Sequence, residues 1–176
     1  LRYGVLLVNT GTPEEPTPRA VKRYLKKFLM DRRIVPMNRF AWWLLLNARI
    51  LPKRSKVTAE KYQAIWTNAG SPLLCTQERM AARLESFYQN RGIDVVVSCA
   101  MSYSRPSIEQ GLMTLRRKSC DSVVVLPLYP QSAYSTTYAV SDQLERTKRK
   151  LRWDVPCEFI SDYHDNYAYI RSIAGS

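Results

Sequence analysis

Three mainly apolar runs, Tyr3 to Val8, Asp94 to Ala100 and Ser122 to Leu128, constrain this chain more than any other feature. A shorter run, Cys157 to Ile160, follows the same style. Segments of helical period separate them. Strands this continuously apolar are buried on both sides, as in a parallel sheet with helices on both faces. The pattern predicts a three-layer α/β domain with a parallel four-stranded sheet. Right-handed crossovers would bring the C-terminal ends of all the strands to one edge. Four loops would then converge: Asn9 to Thr12, Met101 to Ser104, Tyr129 to Thr137 and Ser161 to His164.

The helical segments carry their own signals. Thr17-Pro18 places a cap ahead of a proline in the first turn, and Arg19 to Met30 then sets Val21, Tyr24, Leu25, Phe28 and Leu29 on one face. Phe40 to Leu51 leaves little polar face and must be covered by something. A separate helix is expected from about Ala59 to Trp66. Thr76 to Gln89 reads as amphipathic with Met80, Leu84, Phe87 and Tyr88 inward, ended by Gly92. Helices are also expected over Ser107 to Arg117 and Tyr138 to Arg149, with a last one starting near Asp165. A strand almost at the first residue and a helix barely begun at the last give the expectation of a missing short leader and of an isolated or truncated domain.

The chain has 176 residues and a formal charge of +12, enough for one domain with a real core and a bias toward anionic partners. Carboxylated metabolites, phosphate, nucleic acid and acidic membrane surfaces all satisfy that bias. No apolar run approaches the roughly 20 residues of a membrane span. Cys75, Cys99, Cys120 and Cys157 are widely spaced, with no CxxC pair, so neither a zinc knuckle nor a thioredoxin-like centre is indicated. Free thiols in a reducing cytoplasmic compartment are expected.

The loops hold the candidate chemistry. Asn9-Thr10-Gly11-Thr12 lacks both GxGxxG and GxxxxGK[ST], so Gly11 reads first as a tight turn. Met101 to Ser107 combines a thioether, hydroxyls and Arg105 before a helix that Ser107 could cap. Tyr129, Tyr134, Ser135, Thr136 and Thr137 supply flat apolar surface, hydroxyls and a helix start whose amides favour an anion. That makes a wall for a large planar ligand. His164 is the only histidine, so Asp162, His164 and Asp165 are the sole histidine-containing cluster for a metal or a proton. Glu14 and Glu15 have no carboxylate placed to pair with them, and no Gly-x-Ser-x-Gly elbow occurs.

The basic stretches divide by context. Arg19 to Lys27 with Arg32 and Arg33 reads as a solvated face or an anion-steering one. Arg146 to Arg152 could meet nucleic acid or lipid headgroups, although no zinc finger, RRM or KH pattern accompanies it. Phe40 to Leu51, flanked by Arg39, Arg49, Lys53 and Arg54, suits a membrane interface or the lip of an apolar pocket.

Several stretches together resemble the N-terminal half of the ferrochelatase family. They are Leu6 to Pro13, Ala20 to Leu25, Phe28 to Arg33, Gly70 to Leu73, Met101 to Tyr103 and Leu126 to Gln131. The resemblance runs end to end and is closest to gamma-proteobacterial enzymes. It implies a Rossmann-like, chelatase-like domain over residues 1-176, with an apolar lip inserted over 30-56 and a second, similar domain absent. It implies insertion of ferrous iron into protoporphyrin IX in haem synthesis, with the macrocycle between the two domains. The base needed for the departing pyrrole protons, a histidine with a partner glutamate, would lie in the absent domain. His164 does not match its motif.

Tyr103 then matches a tyrosine on the floor of the site, in a supporting catalytic role. Thr10 falls where the family places Met, Leu or Tyr beside the porphyrin, and Ser71 matches a pocket serine. Ser135 and Thr136 fall in the loop on the propionate side, while Ser102 occupies a position that is arginine in the animal enzyme. Trp42, Trp43, Met101 and Tyr129 would complete the slot, and Arg33 would meet a carboxylate. The resemblance implies no resident metal and no iron–sulfur cluster in this segment. It further implies a monomer or weak dimer, peripheral contact with the inner face of a membrane, and no nucleic acid. A non-catalytic tetrapyrrole- or anion-binding module and a basic nucleic-acid-binding α/β domain remain alternatives from the residues themselves.

Overall fold

The apolar runs form four strands, β1 (Tyr3–Asn9), β2 (Val95–Met101), β3 (Ser122–Pro127) and β4 (Cys157–Phe159). They pair as one all-parallel sheet in the order β2-β1-β3-β4. The computed structural model describes residues 1–175. Its helices are α1 (Pro18–Leu29), α2 (Arg39–Leu45), α3 (Leu51–Ile65), α4 (Pro72–Gln89), α5 (Ile108–Arg117), α6 (Thr137–Leu151) and α7 (Tyr167–Ala174), with a π-helical turn over Leu46–Ile50.

Leu6, Val8, Val123 and Val125 point to one face of the sheet, where Ile108, Leu112 and Leu115 of α5 and Val140 and Leu144 of α6 close over them. Gly111 lets α5 come this close, because a Cβ there would sit 2.5 Å from Leu6 Cδ1. Ser107 caps α5 in a reciprocal capping box with Gln110. On the other face, α4 lies over β2 and β1. Its buried Gln77 donates from Nε2 to the carbonyls of Leu7 and Ala100 at 2.9 and 3.3 Å.

Two expectations are corrected. Gln77 and Ala81, rather than Met80 and Phe87, form the buried line of α4. Met80 is 39% and Phe87 48% exposed, and Leu84 and Tyr88 are half-buried. The cause is the edge position of β2, which turns the polar side of α4 to strand groups that have no neighbouring strand. Glu85 accepts the Val97 N–H at 2.7 Å, and Gln89 donates to the Val95 carbonyl at 3.3 Å.

The second correction concerns the lip. The apolar segment and the helix expected from Ala59 are one run, continuous from Arg39 to Ile65 through the π turn. Pro52 explains the widened turn, since its ring would strike the Ala48 carbonyl in a regular α-helix. The Leu51 N–H bonds to the Leu46 carbonyl instead. Val21, Leu25, Leu29, Trp42, Leu46, Leu51 and Ala59 form a second core inside this helical layer. Among the described residues, no helix is long and apolar enough to cross a membrane.

Candidate functional site at the C-terminal edge of the sheet

The connections after β1 and β3 leave toward opposite sides, and in such sheets the crevice between those strand ends is where ligands bind. Thr10 Oγ1 and Tyr129 Oη span it at 2.6 Å. The second loop hangs from the first: the Ser102 and Tyr103 amides donate to the Asn9 and Thr10 carbonyls at 2.9 and 3.0 Å. Ser104 Oγ accepts the Thr12 N–H at 3.0 Å. Gly11, at φ +121°, is obligatory, because a Cβ would lie 2.6 Å from that oxygen. The fourth loop joins through the Tyr163 N–H to the Pro130 carbonyl at 2.9 Å. All four loops therefore meet as expected.

Tyr103 is the buried centre of the cluster. Its ring stands edge-on to Phe28 at 5.2 Å, and its hydroxyl donates to Asp31 Oδ2 at 2.8 Å. Burial, then the bond to Asp31, holds its phenol well above the ordinary range. Burial likewise raises Tyr24, whose hydroxyl donates to the Gly11 carbonyl at 3.1 Å. It raises Tyr129 too, against the opposing bond from Thr10. At neutral pH these phenols are neutral hydrogen-bonding groups, not bases.

Asp31 ties this floor to the lip. Its second oxygen accepts the Arg33 N–H at 2.8 Å. The Arg33 guanidinium makes a two-pronged pair with Asp142 of α6 at 2.7 and 3.0 Å and lies over the Tyr134 ring at 4.3 Å. His164, the last residue of the fourth loop, has Nδ1 3.6 Å from Asp162 Oδ1. One donor atom each from Asp162, His164 and Asp165 falls within 4.8 Å of the others, on residues that are half-buried or exposed. All four cysteines are unpaired.

A family model described as Ferrochelatase matches residues 2–176. The chain belongs to the ferrochelatase family. It is 43% identical over 175 residues to the ferrochelatase of Haemophilus influenzae (strain ATCC 51907 / DSM 11121 / KW20 / Rd), covering 99% of this chain and 54% of that protein. The ferrochelatase of Actinobacillus pleuropneumoniae serotype 5b is 43% identical, with 99% and 55% covered. That of Thioalkalivibrio sulfidiphilus is 45% identical over 174 residues, with 98% and 47% covered. The chain thus spans about half the length of the curated relatives it matches.

The residues expected from the ferrochelatase resemblance separate into two groups. Thr10, Tyr103 and Tyr129 come together at the crevice. Arg33 lies against the loop holding half-buried Ser135 and Thr136, but its guanidinium is engaged by Asp142 rather than free for a ligand carboxylate. Trp43, 44% exposed, faces outward on the lip. Trp42, Ser71 and Met101 lie deeper in the fold. They are 9%, 5% and 0% exposed, so they support the site from inside and offer little or no surface to a ligand in this chain. Trp42 spends its indole N–H on the Leu29 carbonyl at 2.7 Å. Met101 ends β2 with its N–H on the Pro106 carbonyl. Sequence reasoning gave no role to Asp31, Tyr24 or Phe28. Their signal was membership of the family-like stretches Ala20 to Leu25 and Phe28 to Arg33, on and just after the inward face of α1.

Proposed function

We propose that this chain is the porphyrin-binding part of a ferrochelatase, whose substrates are ferrous iron and protoporphyrin IX. The observation that carries the reading is the family match over residues 2–176, coupled to a crevice bridged by Thr10 and Tyr129. Aromatic faces and neutral hydroxyls suit a flat macrocycle, and the hydroxyls of Ser135 and Thr136 suit its propionates, with Arg33 held beside them by Asp142. Metal insertion also needs an acceptor for two pyrrole protons. Among the described residues, the Asp31 carboxylate at the crevice is already held by Tyr103 and the Arg33 amide. The base, and the second wall that would hold the ring distorted, therefore come from the further length of the full protein. No iron–sulfur cluster is proposed for this segment.

The compartment is the cytoplasm, with peripheral membrane contact through the exposed Phe40, Leu44 and Leu45 of the lip and its basic flanks. Porphyrin fluorescence titration and an iron-insertion assay on the 176-residue chain test the reading together. Saturable binding without metalation is expected, and Tyr129→Ala should weaken it. Turnover at the rate of a full-length relative would overturn the division of labour. Absence of saturable binding would overturn the porphyrin site.

A further inference from the structure

A cavity of about 370 Å³ opens between α1 and the first two loops. Arg23 and Lys27, one helical turn apart on α1, line it from one side. Thr12 and Glu14 of the first loop and Ser104 and Arg105 of the second line it from the others. Its size falls in the range of small-molecule sites, roughly 300–1,000 Å³. It shares Tyr103 with the crevice, but neither Thr10 nor Tyr129 borders it.

The charges around this cavity do not balance. Arg23, Lys27 and Arg105 stand against the single carboxylate of Glu14. Glu14 marks where the cations converge, with Oε2 3.3 Å from Arg23 Nη2 and Oε1 3.9 Å from Arg105 Nε. The longer separation is no hydrogen bond. Lys27 has no carboxylate partner among the described residues. The inner wall is also short of partners, although buried hydroxyls are ordinarily paired. Thr12 is 4% exposed, and its Oγ1 has no hydrogen-bond partner. Ser104 Oγ accepts the Thr12 N–H, which leaves its own proton free to donate.

We infer that this cavity binds a dianionic phosphate, either free or at the end of a small metabolite. Three cations and one carboxylate leave two positive charges uncompensated, which is the charge such a group supplies. Arg23, Lys27 and Arg105 would hold its oxygens through charge-assisted hydrogen bonds, with the Ser104 hydroxyl donating from the inner wall. A metal cation is a poor occupant, because the same surplus repels it. Glu14 already places a carboxylate where the two arginines meet, so it competes with the ligand for them. The site would operate whatever the crevice binds.

Calorimetric titration of the 176-residue chain with inorganic phosphate, and separately with glycerol 3-phosphate, tests it at fixed ionic strength. Saturable one-to-one binding is expected, and the tighter ligand shows whether the phosphate is free or esterified. Lys27→Gln and Arg105→Gln, both at exposed positions, should each weaken binding roughly tenfold, the worth of one hydrogen bond between charged groups. Glu14→Gln should tighten it. Glu158→Gln makes the same charge change on exposed β4 and should not. Arg149→Gln, also outside the cavity, should leave the affinity unchanged. Absence of saturable binding would overturn the inference, as would an equal loss in Arg149→Gln and Lys27→Gln or an equal gain in the two glutamate variants. Competition by protoporphyrin IX would also overturn it, because these cations would then belong to a porphyrin carboxylate.

Discussion

The sheet core and the lip core use similar apolar residues to different ends. Under α5 and α6, the strand residues that face these helices, Leu6, Val8, Val123 and Val125, are at most 1% exposed. In the lip, neighbouring helix residues are about 100° apart, so one goes in and the next goes out. Trp42 is 9% exposed and Trp43 44%, with Phe40, Leu44 and Leu45 more open or equal. One core stabilises the scaffold, whereas the other holds an apolar surface in place and leaves it available. The two are linked at the crevice, where Tyr103 of the sheet edge meets Asp31 at the base of the lip.

The largest effects would come from testing that contrast. Trp42→Ala should cost about 3–5 kcal/mol in urea unfolding, while Trp43→Ala should stay within about 0.5 kcal/mol. Equal losses would break the distinction between the two tryptophans. In the sheet core, Gly111→Ala should cost about 1–3 kcal/mol by overpacking against Leu6. Combining it with Leu6→Ala should cost less than the sum of the single changes, because the two share one space. At the link, Tyr103→Phe strips a donor from Asp31 and should cost about 1–3 kcal/mol. Tyr129→Phe removes only a bond between two partly buried hydroxyls and should cost about 1 kcal/mol, with porphyrin titration showing the larger change.

The sequence made the sheet legible because apolar runs separated by helices admit few alternatives. The convergence of the loops followed from crossover handedness. Helix faces were harder. Apolar period alone put Met80 and Phe87 inward, yet an edge strand with open hydrogen-bonding groups drew Glu85 and Gln89 toward it and rotated the helix. Burial of Trp42, Ser71 and Met101 was equally hidden, since a slot-lining residue and a residue supporting the slot have the same composition. The Asp31–Tyr103 bond joins positions far apart in sequence, and no spacing rule anticipates it.

The weakest predicted effect concerns Arg33 and Asp142, which bind the lip base to α6. The Arg33 guanidinium, chiefly through its hydrogen bonds, holds the Asp142 carboxyl below the usual range. A depressed folded pKa stabilises the fold above the unfolded value, about 3.9, and that contribution disappears as pH falls through the folded value. The stability gap between wild type and Asp142→Asn should therefore be level near neutrality and close in acid. It should also shrink in salt, because both side chains are partly exposed, at 24% and 41%. Porphyrin binding should move the other way. Freed from Asp142, Arg33 can turn to a propionate, so Asp142→Asn should bind the dicarboxylic porphyrin more tightly than wild type and leave its dimethyl ester unchanged. An equal gain for both ligands would show that the substitution merely loosens the lip and would remove Arg33 from carboxylate recognition.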